Sequence, residues 1–141
     1  MQNIAWLRSN WLFLVVITIG LFLRLVWVND MEWKSDEQWM FYKSVEAAKT
    51  GHWLSIGMES SSGVVNPGLS AAIFTAMAYV VNTPTAMAQL VQWANVVTIL
   101  CFLLFILYKI EKDQRDIWLW GLALASVSPL AVLFSRKIWA Q

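Results

Sequence analysis

Residues 86–108 read AMAQLVQWANVVTILCFLLFILY, an uncharged run long enough to cross a bilayer as a helix. Upstream, residues 11–28, WLFLVVITIGLFLRLVWV, make a helix of roughly 27 Å, close to the hydrocarbon thickness, with Trp11 and Trp27 at its ends as interfacial anchors. Downstream, residues 117–134 are again long and apolar enough to span. The composition agrees. The 141 residues are 59% hydrophobic and 13% charged, about half the charge of a typical soluble domain, and they include ten Trp. A net charge of +1 leaves no footprint for nucleic acid. The first apolar run is not followed by a small-residue cleavage site, so it reads as a retained helix rather than a signal peptide.

A fourth stretch, residues 69–81, is only about 13 residues long, which suits an interfacial or re-entrant helix. Charge decides its placement. If it crossed, with the N-terminus inside, Lys109, Lys112 and Arg115 would lie outside, against the positive-inside rule. The expected fold is therefore all-α and integral to the membrane. Three transmembrane helices (11–28, 86–108, 117–134) accompany two juxtamembrane helices in a large external loop, 29–85; four transmembrane helices are the alternative. Residues 109–116 form a cytoplasmic connector and 135–141 an external end.

Within the loop, Ser35 and Gln38 are spaced as a capping box, with Asp36 and Glu37 in the first turn where the helix dipole favours acids. This first loop helix covers about 36–49 and ends at Thr50-Gly51. Phe41, Val45 and Ala48 make an apolar stripe, with Asp36, Lys43 and Glu46 opposite, as in a helix lying on a membrane surface. ESSSGVVNPG follows as a flexible turn region, in which Asn66 and Pro67 open the second loop helix, about 68–81.

Several residues are candidates for chemistry, each with a plainer explanation beside it. Asp36 and Glu37 would serve as general bases if they faced a partly desolvated pocket; otherwise they cap a helix. Arg24, one turn inside the first span, is either functional or a snorkelling side chain. Gln89, Gln92 and Asn95 repeat every three residues, as a helix-packing stripe or as the lining for a polar ligand. Arg136 and Lys137 follow the third span on the outer side, where an anionic partner such as a phosphate would hold them; lipid headgroups would do the same. His52 has no second ligand at metal spacing, and Cys101 has no mate for a disulfide.

The order of these features resembles a known superfamily. LFLRLVWVNDMEWKSDEQWMFYKSVEAAKTGHW (21–53) is similar to the start of the GT-C membrane glycosyltransferases, where an Asp-Glu pair after the first span heads a juxtamembrane helix. VNPGLSAAIF (65–74) is similar to the His/Asn-Pro-Pro-Leu segment opening the second such helix, and SPLAVLFSRKIWAQ (128–141) to the Ser-Pro…Ser-Arg stretch after the third span. The branch resembled is that of protein O-mannosyltransferases and aminoarabinose transferases, over about residues 12–141.

The resemblance implies outward-facing transfer of a sugar from a polyprenyl-phosphate donor to an unidentified acceptor, with inversion. It makes Asp36 the base and Glu37 its support. Arg24, Arg136, Lys137 and Gln141 would be on the substrate side, Arg136 meeting the lipid phosphate. The compact loop and the lack of eukaryotic sorting signals lean towards a bacterial inner membrane, and the positive-inside argument puts the N-terminus in the cytoplasm. Gln141 stands where many relatives have a second Asp, which weighs against the divalent metal that such an acid can help place. Gln89 stands about where relatives often carry Arg, and Gly68 replaces the second Pro. Relatives have many more spans, so the chain is expected to be the N-terminal portion of a longer enzyme. Competing expectations are a non-catalytic membrane subunit partnering a larger complex and a fragment of a transporter or channel. The latter would want ionisable residues in mid-span, and 86–108 and 117–134 have none.

Overall fold

A computed structural model describes residues 11–27, 29–59 and 63–138. The chain is mostly helical: α1 (Trp11–Leu25), α2 (Ser35–Thr50), α3 (Leu69–Ala78), α4 (Pro84–Lys109), α5 (Arg115–Val127) and α6 (Pro129–Phe134). One antiparallel hairpin, β1 (Ile56–Glu59) with β2 (Val65–Pro67), lies between α2 and α3, so the fold is not all-α. Contacts divide the chain into two units, Met1–Trp27 with Gln92–Ser135, and Val28–Val91 with Arg136–Gln141.

In the first unit, α1 buries Phe13, Ile17, Gly20 and Arg24, spaced i, i+4, i+7 and i+11 along one stripe. Phe13 and Ile17 pack with Ile106 of α4 and Leu119, Leu122 and Ala123 of α5. Phe13 also meets Trp120 edge-on, with ring centroids 4.5 Å apart. The other faces of α1 are apolar and bare, with Trp11, Leu12, Val15, Ile19 and Phe22 all exposed.

α4 is one helix among the described residues long and apolar enough to cross a bilayer. Only 22% of its most apolar window is buried, where the core helix of a soluble protein would be mostly covered. Pro84 sits at its start, and the Thr83 hydroxyl accepts a hydrogen bond from the Ala86 N–H at 3.4 Å. At its other end Arg115 donates to the carbonyl of Ile110 at 3.1 Å, a cation beside the negative end of the dipole.

The segment read as a third span is two helices. α5 stops at Val127, Ser128 turns to ψ 125°, and α6 restarts at Pro129. Proline lacks an N–H to continue the ladder and pushes the residue before it out of the α region. The first apolar helix is likewise 15 residues long in the described part, so three spanning helices are not shown by length alone.

In the second unit, the core is Met40 and Phe41 of α2, Ala71 and Phe74 of α3, Met87 and Ala88 of α4, and Ile138. α2 starts one residue earlier than its expected cap. Lys34 is the cap residue, Ser35 is already helical, and Glu37 takes the third position, where its carboxylate accepts from the Lys34 N–H at 3.1 Å. The Ser35–Gln38 capping box is thus displaced by one. The buried stripe is Glu37, Met40, Phe41, Ser44 and Ala47, so Val45 and Ala48 lie at its margin. Gly51, at φ 74°, closes the helix by donating to Ala47 O at 2.9 Å.

Asn66 and Pro67, expected to open the next helix, lie in β2, and α3 begins after Gly68. A Cβ on Gly68 would stand 2.5 Å from the Ser55 carbonyl, which explains why the second Pro of the resembled motif has no room here.

Candidate functional site

A cluster of charged residues of the second unit gathers where the chain enters α2. NDMEWKSDE (29–37) alternates charged and apolar residues before the helix, and an extended chain sends such neighbours to opposite sides. Met31 and Trp33 pack against the core, while Asp30, Glu32 and Lys34 form ion pairs. The stretch after α6 returns here. Arg136 donates to the Asp30 carbonyl at 2.9 Å and lies 3.5 Å from its carboxylate. Lys137 pairs with Glu32, which also pairs with Lys34. Ile138, fully buried in the core, fixes this return.

Glu32 is therefore held between two ammonium groups. Hydrogen bonds from Lys137 first and Lys34 second keep its carboxyl below the usual carboxylate range. Glu32 in turn raises Lys34 above the ordinary lysine value, with smaller contributions from Glu37 and Asp36. The signs define a window. A depressed carboxyl contributes stability above its unfolded value and loses it as pH falls through the folded one. A raised lysine contributes below its unfolded value and loses it as pH climbs through the folded one. The cluster thus holds across neutral pH and loosens in acid. Glu32→Gln is expected to lower the melting temperature at pH 7 and to match the wild type in acid below the carboxylate range. A melting-temperature difference that persists unchanged in acid would contradict this account.

Asp36 and Glu37, expected as base and support, both occupy the first turn of α2. Asp36 is half-buried and accepts from the Ser35 hydroxyl at 3.1 Å. Glu37 is buried and committed to the Lys34 N–H. Arg136 and Lys137 lie in the same unit, on carboxylates rather than free for a phosphate. Gln141 lies outside the described residues.

Arg24 belongs to the other unit, and its hydrogen bonds are made there. Nη1 donates to the carbonyl of Gly20 at 2.8 Å and to that of Ser126. Of the polar stripe on α4, Gln92 is 1% exposed, and both its amide atoms lack a partner, which costs about 1–3 kcal/mol per group. Among the described residues no three His, Cys, Asp or Glu side chains converge as metal ligands. A shallow cavity of about 130 Å³ lies on the later turns of α2, lined by Lys43, Glu46, Ala47, Thr50, His52 and Leu54.

Sequence reasoning passed over Asp30, Glu32 and Lys34, although their period-two alternation with Met31 and Trp33 was the signal that could have found them. Comparison with protein-family models, curated proteins and solved structures returns no match to this chain.

Proposed function

We propose that the chain is the N-terminal part of a GT-C-like glycosyltransferase of a bacterial inner membrane, transferring a sugar from a polyprenyl-phosphate donor on the extracytoplasmic side. The observation that carries this reading is the meeting of Arg136 and Lys137 with the acidic segment leading into α2. Residues about 100 positions apart in sequence gather cations and carboxylates at the helix start that bears Asp36. Asp36 takes a proton from the acceptor hydroxyl or amine, whose lone pair forms the new bond to the anomeric carbon. The carbon–oxygen bond to the phosphate breaks in the same step, and the lipid phosphate leaves with that bond's electron pair. Arg136 and Lys137 stabilise the departing lipid phosphate, exchanging part of their hold on Asp30 and Glu32 for it.

The three-span arrangement belongs to this proposal. α1, α4 and the paired α5 and α6 cross, and α2, the hairpin and α3 remain outside. The exposed apolar side chains of α1, α4 and α5 support it, since a water-facing surface of that extent is unusual in a soluble monomer. A cysteine placed at Gln114 is expected to resist impermeant thiol reagents in intact cells and to react once the membrane is opened. Labelling in intact cells overturns the topology.

The activity itself is tested with the full-length protein in liposomes containing isotopically labelled polyprenyl-phosphate sugars. Release of free polyprenyl phosphate dependent on an acceptor supports the proposal, and its absence across hexose and pentose donors counts against it. A non-catalytic subunit is the second reading, favoured by the bare face of α4 that includes Trp93, Val97, Leu100 and Leu104, which can receive another helix as readily as lipid. A stoichiometric membrane protein co-purifying from native cells favours that reading.

A further inference from the structure

Arg24 is 3% exposed on a helix with no other charged residue, and nothing in its unit neutralises it. Its two acceptors, the carbonyls of Gly20 and Ser126, are dipoles and carry no net charge. Both are taken by Nη1. Nε is buried with no partner, and Nη2 makes no hydrogen bond to a described residue. Those two nitrogens form the edge of the guanidinium that forks onto the two oxygens of a carboxylate or phosphate. The unit's only acids in the whole sequence are Glu111, Asp113 and Asp116, all at the other end of α5. Ser126 lies ten residues beyond Asp116, about 15 Å along the helix. A desolvated cation without a counter-charge is unfavourable, and a charge-bearing anion relieves this where a carbonyl does not.

The position selects the anion. Arg24 lies in the last turn of α1, three residues before the exposed Trp27, where an apolar helix reaches the headgroup layer. We propose that Arg24 holds the phosphodiester of a bilayer phospholipid. Nη1 is anchored on the protein, and the Nε–Nη2 edge takes the phosphate oxygens as the side chain adjusts outward. The bound lipid is structural: it neutralises Arg24 and secures the packing of α1 against α5. This inference needs the membrane setting but not glycosyl transfer, so failure of either leaves the other standing.

The test is nitrogen–phosphorus dipolar dephasing by solid-state NMR on the full-length protein carrying ¹⁵N-arginine. Lysine replaces Arg8, Arg115 and Arg136 within the present residues, and further arginines of the chain are assigned in the same way, so that the Arg24 signal is read in a protein that keeps Arg24. In phosphatidylglycerol bilayers the Arg24 side-chain nitrogens are expected to dephase, and in phosphorus-free glycolipid bilayers they are expected not to. Dephasing that appears in the glycolipid bilayer on adding isoprenoid monophosphate or inorganic phosphate, and not with phosphatidylglycerol, overturns the assignment to phospholipid. No dephasing in any arm overturns the site. As a second measurement, Arg24→Lys should purify with one fewer retained phospholipid per chain; unchanged retention in a folded variant also counts against it.

Discussion

Replacing Gly20 with alanine is expected to destabilise the first unit by about 1–3 kcal/mol from overpacking, with about 1.5–3 kcal/mol more if the Arg24 bond to Ser126 is lost. A Cβ on Gly20 would stand 2.5 Å from Ser126 O and 2.6 Å from its carbonyl carbon and hydroxyl. Two of those three atoms are backbone, so a rotamer change does not relieve the clash and α1 must move away from α5. Against a total stability of about 5–15 kcal/mol such a loss is large. Gly121 supplies the control. It also lies in a helix of this unit, but a Cβ there meets nothing within 4 Å. Thermal melting of both alanine variants in the same detergent should separate them clearly. If Gly20→Ala melts with the wild type, the close approach of these helices is not a determinant of stability.

If the proposed glycosyl transfer holds, Asp36→Asn in the full-length protein is expected to lower its rate by about 10²–10⁴-fold, the contribution typical of a positioned general base. The substitution keeps size and leaves an oxygen to accept from Ser35, so α2 should retain its start and the protein its place in the membrane. Glu37→Gln is the informative companion. Glu37 is buried on the Lys34 N–H, and glutamine still offers an acceptor there. Its loss should be confined to weakened capping, typically about 1 kcal/mol, with transfer largely retained. Equal losses in the two variants would assign the pair a common structural task, and full activity of Asp36→Asn would remove Asp36 from the mechanism.

The helices were legible in the sequence because apolar length and caps are local signals. The end of α2 at Gly51 and the start of α3 near Leu69 were read to within a residue or so, and α4 was placed within two. What escaped was set by partners distant in the chain. Ile56 to Glu59 has no alternation strong enough to announce a strand, and it pairs only because Val65 to Pro67 turns back beside it. Ser128 was legible as part of a Ser-Pro motif, yet the length of the apolar run concealed that the motif ends a helix.

At the candidate site the acids of the first turn were visible as an adjacent pair. The embrace of Glu32 by Lys137 was not, because the two residues are over a hundred positions apart and belong to segments without regular structure. The stripe on α2 was rotated from its expected centre because Ser44 and Glu37, polar in composition, are buried by packing.

The break at Ser128 has a consequence for biogenesis. The carbonyls at the end of α5 have no next turn to accept from, and in hydrocarbon each such group costs several kcal/mol. α1 carries the opposite liability, a guanidinium that lipid tolerates poorly. The two meet at one point, where Arg24 Nη1 donates to the Ser126 carbonyl and covers it, while the guanidinium charge still needs an anion. In the proposed membrane arrangement, α1 would emerge first and meet the Ser126 carbonyl only once residues 115–128 have been made.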